Sequence, residues 1–199
     1  MNLPEFVLAS RNRHKLAELR ELLEIPAEKI ILAADCPGAP DPVEDGDTFE
    51  ANALIKARAL RDFTGKWAIA DDSGLCVEAL AGAPGIHSAR YAGTHGDDAA
   101  NNRLLVANLA TFPRPWRAAY ACVIAIAAPD GREFTAYGEC SGEIIPEACG
   151  SGGFGYDPFF IPEGYANTFG ELPPEVKQAF SHRARAAEKI CQTLKKLFS

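Results

Sequence analysis

The 199-residue chain has no closely spaced pair of cysteines, no long apolar run and no surplus of positive charge. Each absence removes a class of function. The six cysteines stand at 36, 76, 122, 140, 149 and 191 without a C-x-x-C pair, so zinc ribbons and dithiol redox motifs are excluded. They read as small buried hydrophobes carrying inert thiols. No stretch approaches the about 20 apolar residues of a membrane span, and MNLPEF lacks the basic start and apolar stretch of a signal peptide. The expectation is a cytoplasmic protein with no membrane partner. Lys and Arg number 20 against 27 Asp and Glu, a net charge of −7, which argues against coating duplex nucleic acid, because that binding needs excess cations. Any anionic ligand must then be small and locally matched.

What is present is an ordinary globular mixture, 47% hydrophobic and 24% charged, with no repeat, low-complexity tract or linker. A single domain spanning 1–199 is expected. Residues 6–9 form a short apolar run, after which Leu16, Leu19, Leu22 and Leu23 recur at helical spacing until Pro26. Residues 29–33 read as a second strand, and the Pro-, Gly- and Asp-rich stretch after them as loop. Asp47 and Glu50 resemble a capping box for a helix carrying Phe49, Ala53, Leu54, Ala57 and Leu60. Residues 67–70 form a buried strand running into Asp71 and Asp72, and Ser73 and Gly74 are expected to let the chain reverse. Asp97 can cap a helix reaching Leu109. Two β-rich runs, 117–127 and 132–140, are joined by P-D-G as an antiparallel hairpin, and two helices follow Pro173 and Ser181. The sum is an α/β protein whose helices flank a twisted mixed sheet.

Four segments carry polar residues that a core does not want. The run Ser10, Arg11, Asn12, Arg13, His14 and Lys15 opens a helix, where backbone N–H groups and the dipole favour an anion. It is not the G-x-x-x-x-G-K-[ST] phosphate loop, and taken alone the segment reads more simply as a polar cap beside a surface lysine. The adjacent Asp71 and Asp72 need positive compensation, for which a divalent cation is the usual choice; an Asp-rich turn satisfied by its own amides is the alternative. Residues 151–160 place three glycines around Phe154, Gly155, Tyr156 and Asp157, a backbone that can approach a ligand with rings for stacking, although both rings could plug the core. Lys177, Ser181, His182 and Arg183 gather cations near a helix start, against the dipole, which a carbonyl-rich or anionic ligand would relieve.

In order and spacing, the blocks LASRNRHKLAELRELL, EDGDTFEANALIKARA, AIADDSGLCVEALAGAPGIHSARYAG, GGFGYDPFF and FGELPPEVKQAFSHRARA resemble the inosine/xanthosine triphosphate pyrophosphatase family. The resemblance runs nearly end to end. It implies an ITPase-like fold with a long mixed sheet, two lobes and a central substrate cleft, in a homodimer. It implies hydrolysis of deaminated purine nucleoside triphosphates, ITP, dITP and XTP, to monophosphate and pyrophosphate, with Mg²⁺ as cofactor. In such enzymes residues 10–15 and Lys56 hold the triphosphate, Glu44 and Asp72 hold the metal, and Asp72 is the proton acceptor. Ser73 touches substrate, residues 154–157 form the base platform, and Lys177, His182 and Arg183 read the purine edge. One departure is the S-R-N-R-H-K loop, where many relatives carry Thr and Gly; Arg11 adds a cation near the phosphates or points to solvent.

Overall fold

A computed structural model describes residues 3–10 and 12–199. The mixed sheet has the order β2-β1-β3-β4-β5-β6, built from β1 (Phe6–Ala9), β2 (Ile30–Leu32), β3 (Trp67–Val77), β4 (Trp116–Ala127), β5 (Glu133–Ile144) and β6 (Phe160–Pro162). β1 runs parallel to both β2 and β3, with Phe6 opposite Ile30 and Trp67, whereas β5 and β6 are antiparallel. The helices are α1 (Arg13–Leu22), α2 (Phe49–Thr64), α3 (Asp98–Leu109), α4 (Pro174–Phe180) and α5 (His182–Phe198). Among the described residues no helix is long and apolar enough to cross a membrane.

The chain divides into two compact units. The first comprises Met1–Asp72, Cys122–Gly138 and Arg183–Ser199. Its sheet is covered on both faces. Along β4, Cys122, Ile124 and Ile126 join α1 and α5 residues such as Leu19, Ile190 and Leu194, while Val123, Ala125 and Ala127 meet Ala53 and Ala57 of α2. Alternation of side chains along a strand sends the two sets to opposite faces, so a doubly covered strand reads as continuous apolar sequence. Small alanines on α2 and β4 let helix and sheet approach closely. α1 starts where Asn12 accepts from the His14 and Lys15 amides. α2 is capped by Thr48, whose Oγ1 accepts from Ala51 N at 3.1 Å, and ends at Gly65 with φ 66°. The cap is therefore Thr48 rather than Asp47.

The second unit, Ser73–Ala121 and Glu139–His182, packs Leu75 and Val77 with Leu105 and Leu109 of α3, Trp116 and Tyr120 of β4, and Phe160 and Phe169. Each large side chain so buried contributes about 1.5–3 kcal/mol.

The P-D-G hairpin forms as expected, Gly131 N donating to Ala128 O at 3.0 Å. The turn expected at Asp71–Gly74 does not form: β3 continues through it to Val77. The reason is that the two carboxylates find cations within the sheet's surroundings and need no turn amides. Gly74 is required for a different purpose, because a Cβ there would meet Gly85 O at 2.3 Å and Ser88 Oγ at 2.4 Å. That close approach lets Ser88 Oγ accept from Leu75 N at 2.9 Å and donate to Gly85 O at 2.6 Å.

Candidate active site

In the first unit, successive residues of β3 point their carboxylates to different partners, as strand alternation requires. Asp71 is 2% exposed. Its Oδ2 accepts from Arg183 Nε at 3.2 Å and Nη2 at 3.0 Å, and Lys15 Nζ stands 3.8 Å away. Burial pushes the Asp71 carboxyl up, but Lys15 and Arg183 outweigh it and hold it down to about 2. Asp71 Oδ1 is buried without a hydrogen-bond partner among the described residues.

Asp72 faces α2. Lys56 Nζ lies 3.3 Å from Asp72 Oδ1 and 3.3 Å from Glu44 Oε2, and Asn52 Nδ2 donates to Asp72 Oδ2 at 3.4 Å. One ammonium therefore bridges the two acids that the family resemblance singles out, and their oxygens lie within twice that distance of each other. Burial raises the Asp72 carboxyl, Lys56 and Lys15 pull it back, and the neighbouring acids Glu44 and Asp71 push it up again. Burial alone would lower the Lys56 ammonium, yet Asp72, Asp71 and Glu44 raise it. The pair of carboxylates suits a hard divalent cation that completes its shell with water and phosphate oxygen, as Mg²⁺ does. Among the described residues no cluster of three or more His, Cys, Asp or Glu is assembled.

The remaining residues of the first polar segment lie at the start of α1. Arg13 and His14 are exposed, Lys15 and Ser10 half-buried. Asn12 Oδ1 accepts from His14 N at 2.9 Å and Lys15 N at 3.2 Å, so two amides of the expected anion cradle already have a partner. Arg11 lies outside the described residues. Arg183 is 0% exposed, with Nη1 on Glu18 and Nε and Nη2 on Asp71. Burial lowers its affinity for a proton, but Asp71 and Glu18 raise it further, so it is a permanent cation.

In the second unit Asp157, 1% exposed, is the polar centre. Its Oδ2 accepts from Lys177 Nζ at 2.7 Å and from Phe154 N at 2.8 Å. Lys177 Nζ stands 4.6 Å from the centroid of the half-buried Phe154 ring, a cation–π contact. Burial, reinforced by Asp157, lifts the Tyr120 hydroxyl well above its ordinary value, and the Tyr120 ring stacks on His182 at 4.7 Å. Tyr156 takes the core place that the sequence left open to it: it is 4% exposed and donates to Ser88 O at 2.8 Å. Gly155 is fixed by α3, where Asp98 Oδ2 accepts from its N at 2.8 Å and Asn102 Nδ2 donates to its O at 2.9 Å. Ser73, directly after Asp72 in β3, is half-buried.

Asn52, Glu18, Tyr120, Asp98 and Asn102 were not anticipated. Three of these had a signal: Asn52 with Lys56, and Asp98 with Asn102, are polar i, i+4 pairs on one helix face. Nothing local marks Glu18 or Tyr120.

Comparison with known proteins follows this geometry. The model of the Ham1 family matches residues 6–193. A dITP/XTP pyrophosphatase of Desulforamulus reducens is 48% identical over 196 residues, covering 98% of this chain and 97% of that protein. A dITP/XTP pyrophosphatase of Leifsonia xyli subsp. xyli is 50% identical over 194 residues, covering 96% of each. Among solved structures, a HAM1 protein from Coxiella burnetii superimposes with a TM-score of 0.87 at 41% identity, over 98% of this chain and 100% of that one.

Proposed function

The chain belongs to the Ham1 family, and from that membership we propose that it hydrolyses deaminated purine nucleoside triphosphates, ITP, dITP and XTP, to the monophosphate and pyrophosphate. The observation that carries the reading is the Lys56 ammonium lying 3.3 Å from carboxylates of both Glu44 and Asp72. A protein that only captured polyphosphate would have little reason to hold two acids there. In this reading Glu44 and Asp72 hold Mg²⁺, which when bound neutralises phosphate charge and acidifies water. Lys15, Lys56 and the residues of 10–14 take the triphosphate, and the two lysines offset charge growing on the departing pyrophosphate. Asp72 accepts the proton of the attacking water at a carboxylate oxygen. Arg183 holds Asp71 beside it through Nε and Nη2, with Nη1 on Glu18.

The second unit's cluster takes the base. The Phe154 ring offers a stacking face, and Lys177 and His182 donate toward the six-keto oxygen. A six-amino group would present hydrogens to those donors and leave buried groups unpaired, which disfavours ATP. The reading includes a cytoplasmic homodimer, for which size-exclusion chromatography is the check on assembly.

A panel of ITP, dITP, XTP, GTP and ATP, each with Mg²⁺ and with chelator, tests the proposal by product analysis. Pyrophosphate with monophosphate from the deaminated substrates is the expected result. Orthophosphate released in one step identifies a phosphomonoesterase and overturns it, and turnover unaffected by chelator removes the metal.

A further inference from the structure

We propose that Asp98 and Asn102 are positioning residues that hold the Phe154 loop in the shape that receives the purine; the inference rests on the assignment of that loop to the base. They stand one turn apart on α3, so both reach the same neighbour. That neighbour is a single residue, Gly155, whose N–H is held by Asp98 at 2.8 Å and whose C=O is held by Asn102 at 2.9 Å. Gly153 and Gly155 both have left-handed backbones, φ 71° and 62°, on either side of Phe154. Two such glycines leave a free loop many alternative shapes, and the ordering cost falls on ligand binding unless the protein has already met it. Here the loop is fixed at each step. Phe154 N donates to Asp157, Gly155 is gripped from α3, and Tyr156 Oη donates to Ser88 O at 2.8 Å.

Neither α3 residue caps the helix or anchors it to the core, and Asp98 adds only a first-turn acid at its start. The N-cap is Asp97, whose Oδ1 accepts from Ala100 N at 2.9 Å, and the apolar anchors are Leu105 and Leu109. Asn102 is also an expensive choice for stability alone. Its side chain is buried, and its Oδ1 has no hydrogen-bond partner among the described residues, a desolvation cost that an apolar residue would avoid. A polar group kept at such a position, aimed at the loop that carries the candidate base platform, points to precision in the loop rather than to folding.

The test uses the full chain with Asp98→Ala, Asn102→Ala, the double variant and Asp98→Asn, whose amide oxygen can still accept from Gly155 N. For dITP the double variant is expected to raise KM about tenfold with kcat changed less than about twofold, Asp98→Asn to stay near wild type, and Gly155 amide exchange to accelerate in Asp98→Ala. Asp98 is exposed, so Asp98→Ala remains interpretable even where an Asn102 variant fails to fold. An unchanged KM in folded Asp98→Ala and double variants, or a loss confined to kcat, overturns the inference while wild-type selectivity for dITP over ATP leaves the base assignment standing. Wild-type enzyme that does not distinguish dITP from ATP overturns the base assignment and this inference with it.

Discussion

Replacing Arg183 by Ala tests the buried charge network most directly. The guanidinium is 0% exposed and supplies both hydrogen bonds that Asp71 Oδ2 receives, at 3.2 and 3.0 Å. After its removal Lys15, at 3.8 Å and beyond hydrogen-bond reach, is the nearest cation to Asp71 among the described residues. Removing one member of a buried pair typically costs about 3–5 kcal/mol, because an uncompensated charge stays behind. A domain holds only about 5–15 kcal/mol in total, so the loss is severe. The pH dependence gives the mechanism a signature. In the wild type the Asp71 carboxyl falls from 3.8 to about 2, on the order of 2 kcal/mol of stability that is present above pH 3.8 and lost as the pH falls toward 2. In the variant, Lys15 and Lys56 still act against burial, but without Arg183 that carboxyl lies above its wild-type position, so the penalty exists only while Asp71 stays ionised and disappears on protonation. Urea unfolding of both proteins from neutral pH into acid should show a difference that is largest at pH 7 and narrows on acidification. Substituting both partners, Asp71→Asn with Arg183→Met, should recover much of the loss. A difference under about 1 kcal/mol at pH 7, or one that does not change with pH, refutes the reasoning.

Three further outcomes follow from the same geometry. Lys56→Ala removes the cation shared by Glu44 and Asp72 and should lower kcat/KM for dITP by about a hundredfold or more; a loss under about fivefold would take Lys56 out of the mechanism. Thr48→Ala deletes the bond to Ala51 N and should destabilise the protein by about 1 kcal/mol in urea, while Asp47→Ala, one residue outside the cap, should change little. Cys122, Cys140 and Cys191 are buried, with burial pushing the Cys122 thiol up to about 12, so a thiol reagent at pH 8 should react quickly with at most Cys36, Cys76 and Cys149. Rapid labelling of all six cysteines before unfolding would contradict the packing.

Elements governed by neighbours in sequence were legible in advance. Leu16 and Leu19 mark α1, the P-D-G turn marks the β4–β5 hairpin, and Asp97 caps α3, because spacing, turn chemistry and capping act within a few residues. β3 was read as ending at Ala70, because two adjacent acids followed by Ser and Gly look locally like a turn. What makes Asp71 and Asp72 tolerable inside a strand is Lys15, Lys56 and Arg183, the last 112 residues away in sequence from Asp71. No local rule carries that information. The same holds for Arg183 itself, whose partners Glu18 and Asp71 are distant in sequence.

The polar residues that break an apolar pattern separate into two kinds once their partners are known. Arg183 with Asp71 forms a charge pair whose members both lie in the interior, and mutual neutralisation, with Lys15 nearby, explains why each is tolerated there. Asn52 and Asn102 are different, because each is a neutral amide at a buried helical position where Ala or Leu would pack without cost. Asn52 spends its groups on Asp72 and on Gly46 N, in the segment that carries Glu44, and Asn102 spends its amide nitrogen on Gly155 O. In both cases the recipient is a segment lacking a regular hydrogen-bond ladder at the contacted atom, or a carboxylate that must keep one direction. A helix is the stiffest available base for such a grip, since its backbone bonds are internally complete and its side chains at i and i+4 project in parallel. The Asp72 carboxylate and the Gly155 backbone are thus gripped from α2 and α3 by polar residues at positions where helical periodicity calls for apolar ones.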